Sequence, residues 1–108
     1  MANAETNVQA RIMLALSEAG CLIWRNNSGA WRDSKSGRVV RYGVGGKGAS
    51  DLLGVAPDGR FLAVEVKVPG GRVKPEQEAF CAAVRRAGGR AGIARSVQGA
   101  LDIAFGVV

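Results

Sequence analysis

Histidine is absent from this sequence, and cysteine is scarce. Without an imidazole, the chain cannot build a Ser-His-Asp triad, use histidine as a general base, or bind zinc through histidine. The two cysteines, Cys21 and Cys81, are far apart and in no metal-binding spacing. We expect both to be small buried apolar residues of a protein in a reducing compartment. Any catalysis by this chain must therefore depend on carboxylates, on lysine or on a bound metal ion.

Long apolar runs are also missing. No run reaches the ~18 apolar residues expected of a membrane-spanning helix. The N-terminal segment has no basic region ahead of an apolar stretch and carries Glu5, so we do not expect it to be a secretory signal. These absences predict a soluble, cytoplasmic protein.

Acidic residues are outnumbered by basic ones. The chain has 15 Lys and Arg against 9 Asp and Glu, which gives a net charge of +6. This balance favours an anionic partner, and nucleic acid is the usual one. With 108 residues, of which 47% are apolar, the chain can form one domain over residues 1–108 around a real core.

The spacing of apolar residues predicts a single α/β domain with the order α-β-β-β-α-β-α. Helices are predicted over residues 5–19, over residues 75–87, and from Ser96 through Phe105; strands are predicted over residues 21–25, 51–56, 61–68 and 90–95. Residues 38–42 are a candidate for one more short strand. Asn3 is placed to cap the first helix, and Gly20 to end it.

One acidic residue begins a predicted strand, and an acid and a lysine alternate along the next. These are Asp51 in the first case, and Glu65 and Lys67 in the second. Two carboxylates, together with the backbone carbonyl of Val66, are hard oxygen ligands for Mg²⁺ or Mn²⁺. Such an ion activates water against a phosphodiester, and Lys67 can orient that water or offset charge in the transition state. A second metal would need another acid, for which Glu5 is the best candidate.

The register of this hairpin decides whether the three side chains meet. The turn at residues 57–60 would pair Ala56 with Phe61 and place Asp51 opposite Val66. A shift of one residue places Asp51 opposite Glu65 or Lys67 instead, and only the shifted registers or a local twist put all three side chains on one face. The sequence leaves these registers open. The alternative for Glu65 and Lys67 is a weak ion pair on an exposed sheet surface.

Gly48-Ala49-Ser50-Asp51, followed after a turn by Glu65-Val66-Lys67, resembles the PD-(D/E)xK nuclease motif. More narrowly, the chain resembles the stand-alone VRR-NUC domains of viral and bacterial replication and repair proteins. The likeness covers nearly the whole chain, from Glu5 through the segment at 24–29 to the segment at 74–77. Ser50 stands where the motif has proline. The resemblance implies a restriction-endonuclease-like αβββαβ core with a mixed central sheet flanked by helices.

The resemblance also implies roles for individual residues. Asp51 and Glu65 would hold the metal, and Lys67 would serve the attacking water. Glu5 would match the acid supplied by the first helix, and Gln77 the polar residue presented by the helix after the motif. For Gln77 the alternative is a solvated first turn of a helix, and for Glu5 a charge that only complements the dipole at the helix start. The family further implies a homodimer and branched DNA, such as a junction or a flap, as the substrate.

A basic and aromatic segment leads directly into Asp51. Between Arg25 and Lys47 only Asp33 is acidic, and glycines at 43, 45, 46 and 48 let the backbone approach a phosphate. We predict DNA contacts from Arg25, Asn26, Ser28, Trp31, Arg32, Lys35, Arg41, Lys47 and Lys74. Trp24, inside an apolar strand, is instead expected in the core.

The interpretation is a metal-dependent DNA endonuclease that hydrolyses phosphodiester bonds and selects DNA structure over sequence. Its alternatives are a non-catalytic nucleic-acid-binding module with the same fold, and a subunit that binds other replication proteins.

Overall fold

The computed structural model of the chain describes residues 4–26 and 29–107, with the side chains of Arg41 and Tyr42 outside this description. The elements are α1 (Ala4–Glu18), β1 (Leu22–Arg25), β2 (Gly29–Arg32), β3 (Val39–Tyr42), β4 (Leu52–Val55), β5 (Phe61–Val66), α2 (Pro75–Arg86), β6 (Arg90–Ala94) and α3 (Val97–Phe105). The predicted cap at Asn3 and the predicted DNA contact at Ser28 lie outside the described residues.

Four strands form the central sheet, in the order β1-β4-β5-β6. β4 pairs antiparallel with both β1 and β5, whereas β5 and β6 are parallel. Helices α1 and α3 cover one face, and α2 covers β5 and β6 on the other. The predicted α/β fold with a mixed central sheet flanked by helices is confirmed.

Strand β5 has a neighbouring strand on each side and a helix on each face. Leu62, Val64 and Val66 are fully buried against α1 and α3. Burial of each such side chain contributes about 1.5–3 kcal/mol. Ala63 points the opposite way, into a smaller cluster under α2. Glu65 continues that second face, so the fold holds this glutamate in the most enclosed strand of the sheet.

The ends of the helices follow from local chemistry. Gly20, two residues after the end of α1, takes a positive φ of 96°, as a helix-ending glycine does. The Ser96 side chain accepts a hydrogen bond from the Gly99 N–H and caps α3, as predicted. Cys21 and Cys81 are both buried and free, which confirms their expected burial. Among the described residues, no helix is both long and apolar enough to cross a membrane.

Two expectations for the segment after α1 are wrong. Gly29–Arg32, where no strand was predicted, forms β2 and pairs with β3 in a separate two-stranded sheet. Trp24, expected in the core, is 41% exposed. β1 is an edge strand, and α2 packs over β5 and β6, so the helix does not extend as far as Trp24.

Candidate active site

The β4–β5 hairpin has the register that brings two carboxylates together. Val55 lies opposite Phe61, and Leu52 opposite Val64. The unshifted pairing of Ala56 with Phe61 is therefore wrong. The Ala56 N–H donates to the carbonyl of Arg60 at 2.8 Å, and Gly59 has a φ of 90°. These features define a three-residue loop with a glycine in the left-handed region, a common hairpin connection.

Asp51 lies one residue before β4, so this register places it opposite Glu65. Opposed residues point to the same face of a sheet, and that face is the one under α2. The carbonyl of Asp51 accepts a hydrogen bond from the Asn26 N–H at 2.8 Å. Its Oδ2 accepts one from the Val66 N–H at 2.9 Å. The Asp51 carboxylate thus accepts a hydrogen bond that a backbone carbonyl would accept in a regular ladder, and this bond holds the side chain against β5.

Glu65 is buried, with only 2% of its surface exposed. Its Oε2 accepts a hydrogen bond from Gln77 Nε2 at 3.1 Å and lies 4.0 Å from Lys67 Nζ. Its Oε1 is buried with no hydrogen-bond partner among the described residues. A buried carboxylate oxygen without a partner is costly unless something absent from the protein chain satisfies it.

The electrostatics of the site oppose two bare negative charges. The pKa of Glu65 is raised from 4.5 to about 8, first because burial disfavours the charged form and then because the Asp51 carboxylate is near. Lys67 acts in the other direction but does not cancel these effects. A divalent cation between the carboxylates would favour the ionised form of both.

These residues fit a hard divalent cation. The donor set consists of carboxylate oxygens, which Mg²⁺ and Mn²⁺ prefer, and the unpartnered Oε1 of Glu65 supplies a free ligand atom. Within residues 4–26 and 29–107, no three acids, cysteines or histidines gather into a metal-binding group. Glu5 lies in the first turn of α1 and is not assembled with Asp51 and Glu65 into such a group. Its part in a second metal site stays a prediction.

Gln77 joins the first turn of α2 to Glu65. Lys74 is the N-cap of this helix, and Pro75 occupies its first position. Gln77 Oε1 accepts from the Lys74 N–H at 2.9 Å, while Nε2 of the same amide donates to Glu65. Both ends of the Gln77 amide are therefore engaged, unlike those of a solvated first-turn residue. The role in the active site that the sequence resemblance implied for Gln77 stays a prediction.

An open cleft of about 560 Å³ lies over the carboxylates. Its lining residues are Gly29, Ala30, Gly43, Gly46, Lys47, Gly48, Ala49, Asp51, Glu65, Lys74, Glu76 and Gln77. Lys47 and Lys74, two of the predicted DNA contacts, supply positive charge to its walls. Ala30 and Glu76 were not predicted, because neither carries a pattern that distinguishes it in the sequence.

The glycine-rich loop at residues 43–48 is seated on α2. A methyl group at Gly48 would overlap the carbonyl of Glu76, and one at Gly45 would crowd the ring of Phe80. Both glycines also have positive φ, 84° and 94° respectively, which other residues rarely adopt. The glycines therefore permit close packing of the loop on the helix.

The side-chain amide of Asn26 also holds the glycine-rich loop in place through hydrogen bonds. Its Nδ2 donates to the carbonyl of Val44 at 2.8 Å, and its Oδ1 accepts from the Val44 N–H at 3.0 Å. Nδ2 also lies 3.3 Å from the carbonyl of Ser50. The Asn26 amide, predicted as a DNA contact, is thus already occupied within the protein. The sequence signal that could have found this is an asparagine at a strand end, since its amide can mimic a backbone pair.

The remaining predicted contacts fall in two places. Arg25 is exposed at the end of β1, and Trp31, Arg32 and Lys35 are exposed on or beside β2. The side chain of Arg41 and all of Ser28 lie outside the described part of the chain. The structure thus separates cleft residues from a group of exposed residues on the β2–β3 pair.

Comparison with known proteins gives two matches. The model of the VRR-NUC domain family matches residues 4–98. A solved structure described as a VRR_NUC domain is similar to this chain with a TM-score of 0.63 and 22% sequence identity, over 94% of each chain. At that identity the structural likeness shows the fold alone. No curated protein matches the chain.

Proposed function

The chain belongs to the VRR-NUC family, a family of nuclease-type domains, and on that premise we propose that it is a metal-dependent DNA endonuclease. The observation that carries the proposal is the buried Glu65, whose Oε1 lacks a partner in the described chain and whose neighbour across the hairpin is Asp51. Two ionised carboxylates in this buried position repel each other, and either a proton on Glu65 or a divalent cation relieves that repulsion. We propose that the cation is the functional partner of the pair.

Asp51 and Glu65 would hold Mg²⁺ or Mn²⁺, and the backbone carbonyl of Val66 would be a third oxygen ligand. When bound, the ion supplies Lewis-acid polarisation of the phosphate and a nucleophilic water near neutral pH. The residues around it are positioned by the fold. Gln77 holds Glu65, and the Val66 N–H holds Asp51.

Lys67 places a cation beside Glu65, with its Nζ 4.0 Å from Glu65 Oε2. From there it can hydrogen-bond the attacking water and stabilise negative charge that develops on the phosphate. In-line attack forms a new bond from the water oxygen to phosphorus and breaks the bond to the 3′ oxygen. The leaving oxygen takes up a proton, and the products are a 5′-phosphate and a 3′-hydroxyl.

The cleft supports DNA binding through phosphates. Lys47 and Lys74 line it, and charged contacts of this kind supply affinity without reading sequence. We propose a preference for DNA structure, such as a junction or a flap, because the cleft contacts assigned here are to phosphates, which carry no sequence information. A single site cuts one strand, so paired cuts require two subunits, and a homodimer is part of the proposal.

Cleavage assays test this function directly. Supercoiled and four-way-junction DNA are incubated with the protein in Mg²⁺, Mn²⁺ or EDTA, beside Asp51→Asn and Lys67→Ala. We expect nicking by the wild type with metal and none by either variant. Cutting that is equal in all three proteins would indicate a contaminating nuclease. DNA binding with no cutting by the wild type in either metal would favour the non-catalytic binding module.

A further inference from the structure

Strands β2 and β3, with the turn between them, form a ribbon over residues 29–42 that lies outside the central sheet. In the part of the chain that the structure describes, each of these strands packs extensively only against the other. An isolated two-stranded hairpin is only marginally stable in water. An element of this kind is expected to gain stability when it is bound by a partner.

Both faces of the ribbon carry exposed apolar side chains. Trp31 lies opposite Val40, and Arg32 opposite Val39, so each pair shares a face. Trp31 is 54% exposed and Val39 is 51% exposed. Neither face of the ribbon is therefore buried against another layer of the free protein.

The tip of the ribbon is tightly organised. The Asp33 N–H donates to the carbonyl of Arg38 at 2.8 Å, and Arg32 Nη1 donates to the carbonyl of Gly37 at 2.7 Å. The Asp33 carboxylate accepts from both the N–H and the hydroxyl of Ser36. The single acid of the ribbon is thus used to shape its turn. A preorganised tip loses little freedom on binding.

The charge of the ribbon favours nucleic acid over a protein partner. Its charged residues are Arg32, Asp33, Lys35, Arg38 and Arg41. Four cations against one acid complement a phosphate backbone. Paired strands lie about 4.8 Å apart, and a two-stranded ribbon fits the major groove of B-DNA, about 12 Å wide.

We propose that the ribbon is an anchor for duplex DNA that enters the major groove beside the cleft, with Trp31 and Val40 against base edges and the basic tip on phosphates. Gly29 and Ala30, at its base, line the cleft, so a duplex held by the ribbon continues toward Asp51. The choice of DNA as the ligand of this anchor rests on the proposed function. It assigns duplex binding to residues that take no part in cutting.

Binding in EDTA tests the anchor without cleavage. Affinities for a blunt duplex and for the single strand of the same sequence are measured over a range of salt. The variant Lys35→Gln/Arg38→Gln removes two exposed charges that hold no other part of the turn through their side chains. Arg11→Gln/Arg86→Gln removes two exposed charges elsewhere and is the matched control. Trp31→Ala tests the apolar face.

We expect Lys35→Gln/Arg38→Gln to weaken duplex binding and to reduce the slope of log affinity against log salt by about 1.8, about 0.9 for each phosphate that the protein no longer neutralises. Trp31→Ala should weaken duplex binding with the slope unchanged. The control should match the wild type. Affinity and slope that stay at wild-type values in both ribbon variants would overturn the anchor. So would a loss confined to the single strand, or a Trp31→Ala protein that changes its mass in solution, which would identify a second copy as the partner.

The outcome for the anchor is separable from that for the nuclease. A wild type that binds duplex through the ribbon but never cuts with Mg²⁺ or Mn²⁺ removes the proposed nuclease and leaves the anchor. A wild type that cuts, while both ribbon variants bind duplex normally, removes only the anchor.

Discussion

The carboxylate of Asp51 accepts a hydrogen bond from the backbone N–H of Val66 at 2.9 Å. Val66 follows Glu65 directly, so this one bond fixes the distance between the strand that carries the first acid and the strand that carries the second. The bond also replaces a ladder hydrogen bond with one made by a side chain. The candidate metal site is therefore built into the pairing of β4 with β5 rather than added to a loop.

Asp51→Asn should abolish cleavage while the protein stays folded. An asparagine oxygen can still accept from the Val66 N–H, but it carries no charge for a cation. Removal of the Asp51 charge also removes a cause of the raised pKa of Glu65, so that pKa should fall. Nicking assays and carboxyl-carbon NMR titration measure the two effects. Asp102→Asn on α3 is the control. A Glu65 pKa that is unchanged in Asp51→Asn would show that the two carboxylates do not interact.

Glu65→Gln should change how stability depends on pH in metal-free buffer. The folded pKa of Glu65, about 8, lies above its ordinary 4.5, so the folded protein holds this proton more tightly than the unfolded chain. The stability from that proton is fully present below pH 4.5 and is lost as the pH rises through 8. The wild type should therefore lose unfolding free energy across this window, on the order of a few kcal/mol.

Glu65→Gln lacks the titrating group and should not show this loss, so it should become the more stable protein near pH 8. Urea unfolding at several pH values in EDTA measures the difference. Glu78→Gln, an exposed position in the same helix turn as Gln77, should follow the wild type. Parallel pH profiles for the wild type and Glu65→Gln would show that Glu65 is ionised in the free protein at ordinary pH.

Sequence alone went far in this part of the molecule, and its limit has a physical cause. The strict alternation along β5 identified Glu65 and Lys67 as neighbours on one face, and that interpretation needed no tertiary information. The register with Asp51 depended on whether the connecting loop has two or three residues. A Pro-Asp-Gly turn in the sequence is compatible with either loop length. The left-handed conformation of the glycine at position 59 in the structure goes with the three-residue loop.

Two features of this region depend on contacts that the sequence does not reveal. Asn26 lies in a basic segment, and its DNA contact stays a prediction, but its amide also pairs with Val44, which is 18 residues away in the chain. Trp24 resembles a core residue because its strand is apolar. Its exposure depends on which strands α2 covers, and the sequence of β1 does not indicate which strands those are.

Gln77→Ala should reduce activity without unfolding the protein. The amide of Gln77 orients Glu65 and closes the start of α2, so its loss should cost about 10–100-fold in metal affinity or activity, as is usual for groups that hold a metal ligand. Activity as a function of Mn²⁺ concentration measures this. Gln98→Ala on α3 is the matched control. Wild-type metal dependence in Gln77→Ala would show that Glu65 is positioned without it.

Asn26→Ala should release the glycine-rich loop in the absence of DNA. The substitution removes three side-chain hydrogen bonds, to both backbone groups of Val44 and to Ser50. Hydrogen exchange of the Val44 amide in the free protein is the direct measurement, and its protection should disappear. Asn26→Asp keeps the acceptor for the Val44 N–H and should retain part of it. Asn7→Ala, exposed on α1, is the control. Unchanged protection in Asn26→Ala would return Asn26 to the role of a DNA contact.

The central claim is that Asp51 and Glu65 together bind a divalent metal ion. Calorimetric titration of the DNA-free protein with Mn²⁺ tests it most directly, with Asp51→Asn, Glu65→Gln and the control Glu78→Gln alongside. The account predicts saturable binding to the wild type and the control, and none at the same concentrations to either site variant. Equal binding by all four proteins, or no binding to the wild type, would contradict it.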